Sequence, residues 1–414
     1  MRTLFFHYDA KRWYNLILYV FVLYFVTFGL LLPYTCKEWV HSSYFKKVSN
    51  RSEFISRVTA MNQLDKLKAQ NYFAALDPKV VKTYYENSAK NEALNFTVAV
   101  ITMEREGPEK PGYLTQTLAK LDKLIRLPSL SGESSLNMSL FICDVNTYTR
   151  RHEEQEWMET YFISRHAPKT EGPQNVFEKE KNDYIYCVEE ALKIKSPYIL
   201  MIEDDALPKD DIFEVLRHLL TNHKKLGQGH QELGQVSSDS KWAFLKLYYP
   251  ARWRGFGFEF QHMADLLSLG TLGGFLFLLV VKIYWRNGRK PLTKLEEVVI
   301  FLLGIFYFMI AAKTIGKPYL IELLSVSKYL HRVSNGPECC TPAVLFPAEM
   351  AADISKYLKT QTCDVKYGVD LAMEWYVKAN NYNRLLVEPS LVTHIGMVSS
   401  LKGGMRFPAE FIFR

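Results

Sequence analysis

The 414-residue chain predicts an α/β protein. A parallel, doubly wound sheet is expected, interrupted by a transmembrane helical hairpin and preceded by a signal-anchor helix. Three observations predict this. Strand and helix patterns alternate over residues 96–202, as in a sheet with helices on both faces. Residues 266–281 and 298–312 are uncharged and apolar all round, unlike the one-sided helices of a soluble domain. Residues 16–32 form a third apolar run, long enough to cross a bilayer.

Taken in order, Arg2, Lys11 and Arg12 precede the first run, which places the amino terminus in the cytosol and the following chain in the lumen. A cleaved signal peptide is the rival, but Leu31-Leu32-Pro33-Tyr34 lacks a small-residue cleavage pattern. Asn50, Asn95 and Asn137 head Asn-x-Ser/Thr triplets on the lumenal side. Residues 45–90 read as a stem or helical layer. Residues 96–102 form a buried strand, and apolar positions 114, 118, 121, 124 and 125 mark a helix. A strand at 139–145, a helix at 183–194 and a strand at 198–202 follow, then a helix at 212–220, a polar loop at 227–240 and a strand at 242–249.

Between the two later apolar runs lie Lys282, Arg286, Arg289, Lys290 and Lys294, a linker suited to the cytosol. Gly270, Gly273 and Gly274 would let the hairpin helices pack closely. Both hairpin ends return to the lumen, so one lumenal domain can be interrupted by it. Beyond it, strands are expected at 343–346 and 385–387 and helices at 348–358 and 368–379. The division is then 1–12 cytosolic tail, 13–35 anchor, 36–95 stem or helical layer, and 96–262 first part of the α/β domain. It continues with 263–285 membrane helix, 286–295 cytosolic loop, 296–315 membrane helix and 316–414 second part.

The net charge of +7 comes from scattered Lys and Arg, so no nucleic-acid partner is indicated. Of six cysteines, Cys36 sits at the membrane boundary; Cys143, Cys187, Cys339, Cys340 and Cys363 form an odd lumenal set that leaves one without a partner inside it. Adjacent Cys339 and Cys340 could join only with strained geometry, so the pairing stays open.

Chemistry concentrates at Glu203-Asp204-Asp205, where an apolar strand runs into three acids. Open α/β sheets place ligands at the carboxyl ends of their strands. Clustered carboxylates need a compensating charge, and a divalent cation with oxygen ligands supplies one; alternatively, Asp204 or Asp205 simply caps the next helix. A nucleotide-sugar enzyme explains the acids: metal on the diphosphate neutralises the leaving group, and a further carboxylate deprotonates the acceptor. No Gly-rich phosphate loop points to a kinase or ATPase.

Ile202-Glu203-Asp204-Asp205 resembles the Asp-x-Asp-type motif of GT-A glycosyltransferases. Residues 389–396, Pro-Ser-Leu-Val-Thr-His-Ile-Gly, with Ser399-Ser400, resemble the closing motif of the N-acetylglucosaminyltransferase IV group. The three-span layout, with residues 247–255 before the hairpin and 339–347 after it, is similar to the Golgi GPI-glycan N-acetylgalactosaminyltransferase family. That resemblance implies a GT-A-like domain, UDP-N-acetylgalactosamine (UDP-GalNAc) as donor, the glycan of GPI-anchored proteins as acceptor, inversion by a single displacement and a multi-pass Golgi membrane location with a lumenal catalytic domain. The metal expected is manganese.

Asp205, Asp204 and His394 are the expected metal contacts, with Asp205 first. Asp144, Glu203, Asp204 and Asp205 are the expected donor contacts. Asp370 is the expected base, with Glu374, one turn on, in reserve. Each has a plainer alternative: Asp144 as a turn residue, Asp370 as a solvated first-turn acid, His394 as a packed core residue. Arg252 and Arg254 could meet lipid phosphate or glycan, or be solvated charge beside the membrane. The hairpin itself would keep the site close to a membrane-borne acceptor, making membrane lipid a partner. The rivals are an N-glycan N-acetylglucosaminyltransferase, against which the hairpin counts, a non-catalytic lectin or escort protein of the same fold, and a three-span channel.

Overall fold

The computed structural model describes residues 2–45, 51–105, 110–132, 136–146, 152–168, 175–222, 241–251, 255–257, 260–286 and 292–398. The loop at 227–240, Asn50, Arg252, Arg254, Ser399 and Ser400 lie outside the described residues. The chain forms two compact units, Met1–Asn50 with Ala251–Leu323, and Arg51–Pro250 with Leu324–Arg414.

In the first unit, helix α1 (Arg2–Tyr24) runs through a π-helical stretch, Phe25–Leu31, into α2 (Leu32–Thr35). The larger unit then begins with α3 (Arg51–Ala74), α4 (Pro78–Ser88), β1 (Phe96–Thr102), α5 (Tyr113–Leu130), β2 (Met138–Asp144), α6 (Glu153–Met158), β3 (Ile163–His166) and α7 (Val176–Leu192). It continues with β4 (Tyr198–Glu203), β5 (Ala206–Pro208), α8 (Ile212–Thr221) and β6 (Trp242–Lys246). The chain returns to the first unit for α9 (Phe260–Arg286), α10 (Lys294–Ile315) and α11 (Lys317–Glu322). Back in the larger unit come β7 (Arg332–Asn335), β8 (Ala343–Pro347), α12 (Ala348–Leu358), α13 (Val369–Ala379), β9 (Asn383–Glu388) and β10 (Val392–His394).

Three helical segments are long and apolar enough to cross a membrane: Trp13–Thr35, His262–Tyr284 and Lys294–Ile315. This is a multi-pass membrane protein. Helices α9 and α10 meet through glycines: a methyl group at Gly273 would overlap the Phe308 ring, and one at Gly304 would overlap Phe277 and Gly274. Thr293 and Glu296 form a capping box that starts α10. The first span joins the second hairpin helix, with the Tyr24 hydroxyl donating to the Leu303 carbonyl at 2.7 Å and Thr27 bonding Tyr307 at 2.8 Å. Lys317 pairs with Asp265 at 3.0 Å, and Tyr319 stacks on Trp39, so residues 316–323 belong to this unit rather than to the sheet.

The larger unit is built on an eight-stranded sheet in the order β3-β2-β1-β4-β8-β6-β9-β7. The first four strands are parallel, as the alternation predicts. The second half is mixed, because β8 runs antiparallel to both β4 and β6, and β7 antiparallel to β9. Alternate strand residues feed two cores. Val98, Val100, Leu200 and Ile202 pack against α3, α4, α5 and α8, while Ala99, Phe141, Ile199 and Met201 pack against α7, α12 and α13. The sheet is therefore wound on both faces.

Helices α3 and α4 are an integral layer of this unit, since Phe73, Val81 and Tyr85 are buried in its core. Beneath them Asp122 is fully buried; it accepts from the hydroxyls of Tyr72 and Tyr85 and pairs with Arg126 at 2.7 Å. Cys143 bonds Cys187, tying β2 to α7, and the adjacent Cys339 and Cys340 bond each other; Cys36 and Cys363 are free thiols, both buried. Asn95 and Asn137 lie side by side at the amino ends of β1 and β2, away from the carboxyl edge, the backbone N–H of Asn137 donating to Asn95 Oδ1 at 2.9 Å.

Candidate functional site at the carboxyl edge of the parallel strands

The parallel register sets Thr102 beside Asp144 and Ile101 beside Glu203, so three strand ends carry their polar residues to one edge. The chain then turns sharply. The Asp204 N–H donates to the Ile101 carbonyl at 2.9 Å, and the Thr117 hydroxyl of α5 donates to the Asp204 carbonyl at 2.7 Å. Strand β5 leaves at once and pairs antiparallel with β10, Ala206 opposite His394. This two-stranded clip brings the closing motif onto the acids. The Ile395 N–H donates to the Asp205 carbonyl at 2.7 Å, and His394 Nε2 lies 3.4 Å from Asp205 Oδ2.

Asp204 and Asp205 are 3% and 1% exposed. Arg105, three residues beyond β1, reaches both: its Nη2 is 2.7 Å from Asp204 Oδ1 and 2.8 Å from Asp205 Oδ2. Thr102 donates its hydroxyl to Asp204 Oδ2 at 2.7 Å. Burial opposes the Arg105 charge, but Asp204, Asp205 and Tyr113 outweigh it and raise its pKa. Burial pushes Asp204 up to about 6; Arg105 opposes this, and the neighbouring Asp205 adds to it. Two carboxylates against one guanidinium leave the group net negative when both acids are ionised.

Asp144 ends β2 and accepts the Asn146 N–H at 2.9 Å; His166 Nδ1 is 3.2 Å and His152 Nδ1 3.7 Å away. Burial alone would raise the Asp144 pKa, but His152, the Asn146 amide and His166 bring it below the usual carboxylate value. Burial would lower His152, yet Asp144, with Asp204 and Glu154, raises it.

The acid triplet does not act as one group. Strand alternation sends Glu203 to the face of Ile199 and Met201, where its charge and that of Asp370 act on the buried Tyr184 hydroxyl. Asp370, at the start of α13, accepts the Cys340 N–H at 2.9 Å and is half-buried. Glu374 differs from its expected role as reserve base. It is 1% exposed and enclosed by two cations, Lys246 Nζ at 3.2 Å and Arg384 Nη1 at 2.7 Å. An acid committed in this way is poorly placed to take a proton from an incoming hydroxyl. Lys246 also donates to the carbonyls of Pro337 and Cys339, so this cluster holds the loop carrying the vicinal cysteines.

The structure thus brings Asp144, Asp204, Asp205 and His394 to one edge and places Glu203 with Asp370 on the other face of its strand. Sequence patterns alone miss Arg105, Thr102, Thr117, His152 and Tyr113. Arg105 sits among acids in a polar loop, where a charge reads as solvated; its distance of three residues past a buried strand is the signal that could have found it.

Carboxylate oxygens are the donors that hard divalent ions take, and the net negative acid pair favours one. Among the described residues no group of three or more His, Cys, Asp or Glu side chains is arranged to hold a metal. The residues at this edge that could contribute to holding one are Asp204 and Asp205, with His394 beside them.

Gly396 is required by close approach: a methyl group there would overlap the Asp205 carboxylate. Gly396→Ala is expected to lower any activity that depends on this edge roughly a hundredfold by displacing Asp205, while the protein remains folded. Steady-state assays beside a thermal melt check this.

An α/β sheet of this order, an acidic carboxyl edge closed by a histidine clip, and three membrane-span helices define a membrane-bound protein with a GT-A-like glycosyltransferase domain. A family model described as GPI-N-acetylgalactosamine transferase PGAP4 matches residues 96–393. The chain belongs to that family, which is one of glycosyltransferases acting on GPI glycans.

Proposed function

We propose that the protein transfers N-acetylgalactosamine from UDP-GalNAc to the mannose of GPI-anchor glycans, with its catalytic unit in the Golgi lumen. The observation that carries this is the meeting of Asp204, Asp205 and His394 at the carboxyl edge in a chain of this family. The donor diphosphate lies against Asp204 and Asp205, and Asp144 faces the nucleoside. Asp204 and Asp205, with His394 beside them, would hold a divalent ion, manganese by preference. Neutralising charge on the departing diphosphate is the chemistry it supplies when bound. Asp370 takes the proton from the acceptor hydroxyl as the sugar transfers with inversion. Glu203, sharing its face, positions the sugar. The chain leaves the larger unit at Pro250 and returns at Leu324. That double tether keeps the unit tied to the membrane that carries the acceptor.

The test is a donor panel on the purified full-length protein, read as UDP release with a GPI-glycan acceptor, with manganese or with chelator. Release from UDP-GalNAc in manganese is expected. Faster release from UDP-N-acetylglucosamine with an N-glycan acceptor, or release from no sugar nucleotide, would overturn the assignment.

A further inference from the structure

Arg105 carries more donors than the acid pair uses. Its Nη2 serves both Asp204 and Asp205, and its guanidinium lies 4.9 Å from the centre of the Tyr113 ring. Only 8% of the side chain is exposed. Its Nε–H is buried and has no hydrogen-bond partner among the described residues. A buried donor without a partner is costly, and on a cation the cost is greater. Such a group is maintained where an acceptor arrives with a ligand. Its surroundings specify which. The guanidinium sits past the carboxyl end of a parallel strand, where α/β sheets bind nucleotides, against the Tyr113 ring that opens α5. A planar fork of N–H groups matches phosphate oxygens better than it matches a sugar hydroxyl.

We propose that Arg105 binds the diphosphate of the nucleotide donor, using the N–H groups that the acid pair leaves open. In the donor-free protein it is the counter-charge of Asp204 and Asp205; with donor present it bridges those acids to the phosphate oxygens. Tyr113 keeps the guanidinium in plane for both tasks, and its own hydroxyl accepts the Met397 N–H at 2.9 Å, which ties the closing segment to the same residue. The proposal rests on the sugar-nucleotide assignment above.

The experiment measures binding of UDP and of uridine, which lacks phosphates, to full-length wild type, Arg105→Gln and Arg105→Lys, all in saturating manganese. Arg105→Gln is expected to weaken UDP about 10- to 100-fold while uridine changes less than about twofold, and Arg105→Lys to fall between. A thermal melt of each variant separates lost binding from lost fold, and Arg105→Lys keeps the charge if Arg105→Gln folds poorly. A purely structural Arg105 would weaken UDP and uridine in parallel, or neither, and either result overturns the proposal. If wild type binds neither UDP nor uridine, the donor assignment itself fails, and the proposal with it. If wild type binds UDP and the variants match it, only the role of Arg105 fails.

Discussion

Asp205→Asn is expected to lower donor turnover at least about a hundredfold while leaving the protein folded. Asparagine keeps the volume under Gly396, where even a methyl group would collide, so packing of the closing clip survives. The hydrogen bond from the Ile395 N–H to the residue 205 carbonyl is a backbone bond and also survives. What is lost is one of the two charges facing Arg105 and the carboxylate nearest His394. Asp204 still pairs with Arg105 at 2.7 Å, so the guanidinium is not stranded and the thermal midpoint should change little. Turnover and melting are read on the same preparation. Near-normal turnover in the variant would remove the acid pair from the chemistry and favour a non-catalytic role for the fold.

Asp122→Ala is expected to cost about 3–5 kcal/mol of stability, without any direct contact to the site. The substitution strands the Arg126 guanidinium, which is 5% exposed, and leaves the Tyr72 and Tyr85 hydroxyls without their shared acceptor. These groups come from α3, α4 and α5, so the loss should loosen the amino-terminal helical layer first. Hydrogen exchange should show early opening across residues 51–88, and denaturant unfolding should give the size of the effect. Unchanged exchange in that segment would show that the layer is held by Phe73 and Val81 packing alone.

The larger lines of the fold were legible because they are written in apolar runs. Residues 96–102 are a strand from sequence and a strand in the structure, and the helix at 348–358 matches to the residue. Each membrane segment was legible for the same reason. Strand direction was not. That β8 inserts antiparallel between β4 and β6 is decided by tertiary pairing after the chain has returned from the membrane unit, and nothing local to residues 343–347 encodes it. Short or polar edge strands were missed as well. Ile163–His166 and Arg332–Asn335 have no continuous apolar stretch, because each lies at a sheet edge with none of its residues fully buried.

Buried charge was the other blind spot. Lys246 lies within the strand expected at 242–249 and was given no role, yet it ends the observed strand 1% exposed, held by Glu374 and two carbonyls. Asp122 lies beside an apolar stripe and reads as the wet face of its helix, until α3 and α4 cover it. Arg105 belongs to this class. Its partners lie about a hundred residues away, as the separation of 100 from Asp205 shows. Strand alternation separates Glu203 from Asp204, but it would put Asp205 back on the Glu203 face; the turn after Glu203, held by the Asp204 N–H on the Ile101 carbonyl, is what carries Asp205 away, and nothing in residues 198–205 announces it.

The decisive measurement is mass spectrometry of GPI-anchor glycans from cells lacking this chain and from the same cells given back wild type or Asp205→Asn. An N-acetylhexosamine branch on the anchor mannose should be absent without the chain, return with wild type and stay absent with Asp205→Asn, although the variant reaches the same membranes. Branch restoration by Asp205→Asn, or a branch that never depended on the chain, would contradict a transferase whose acid pair handles the donor.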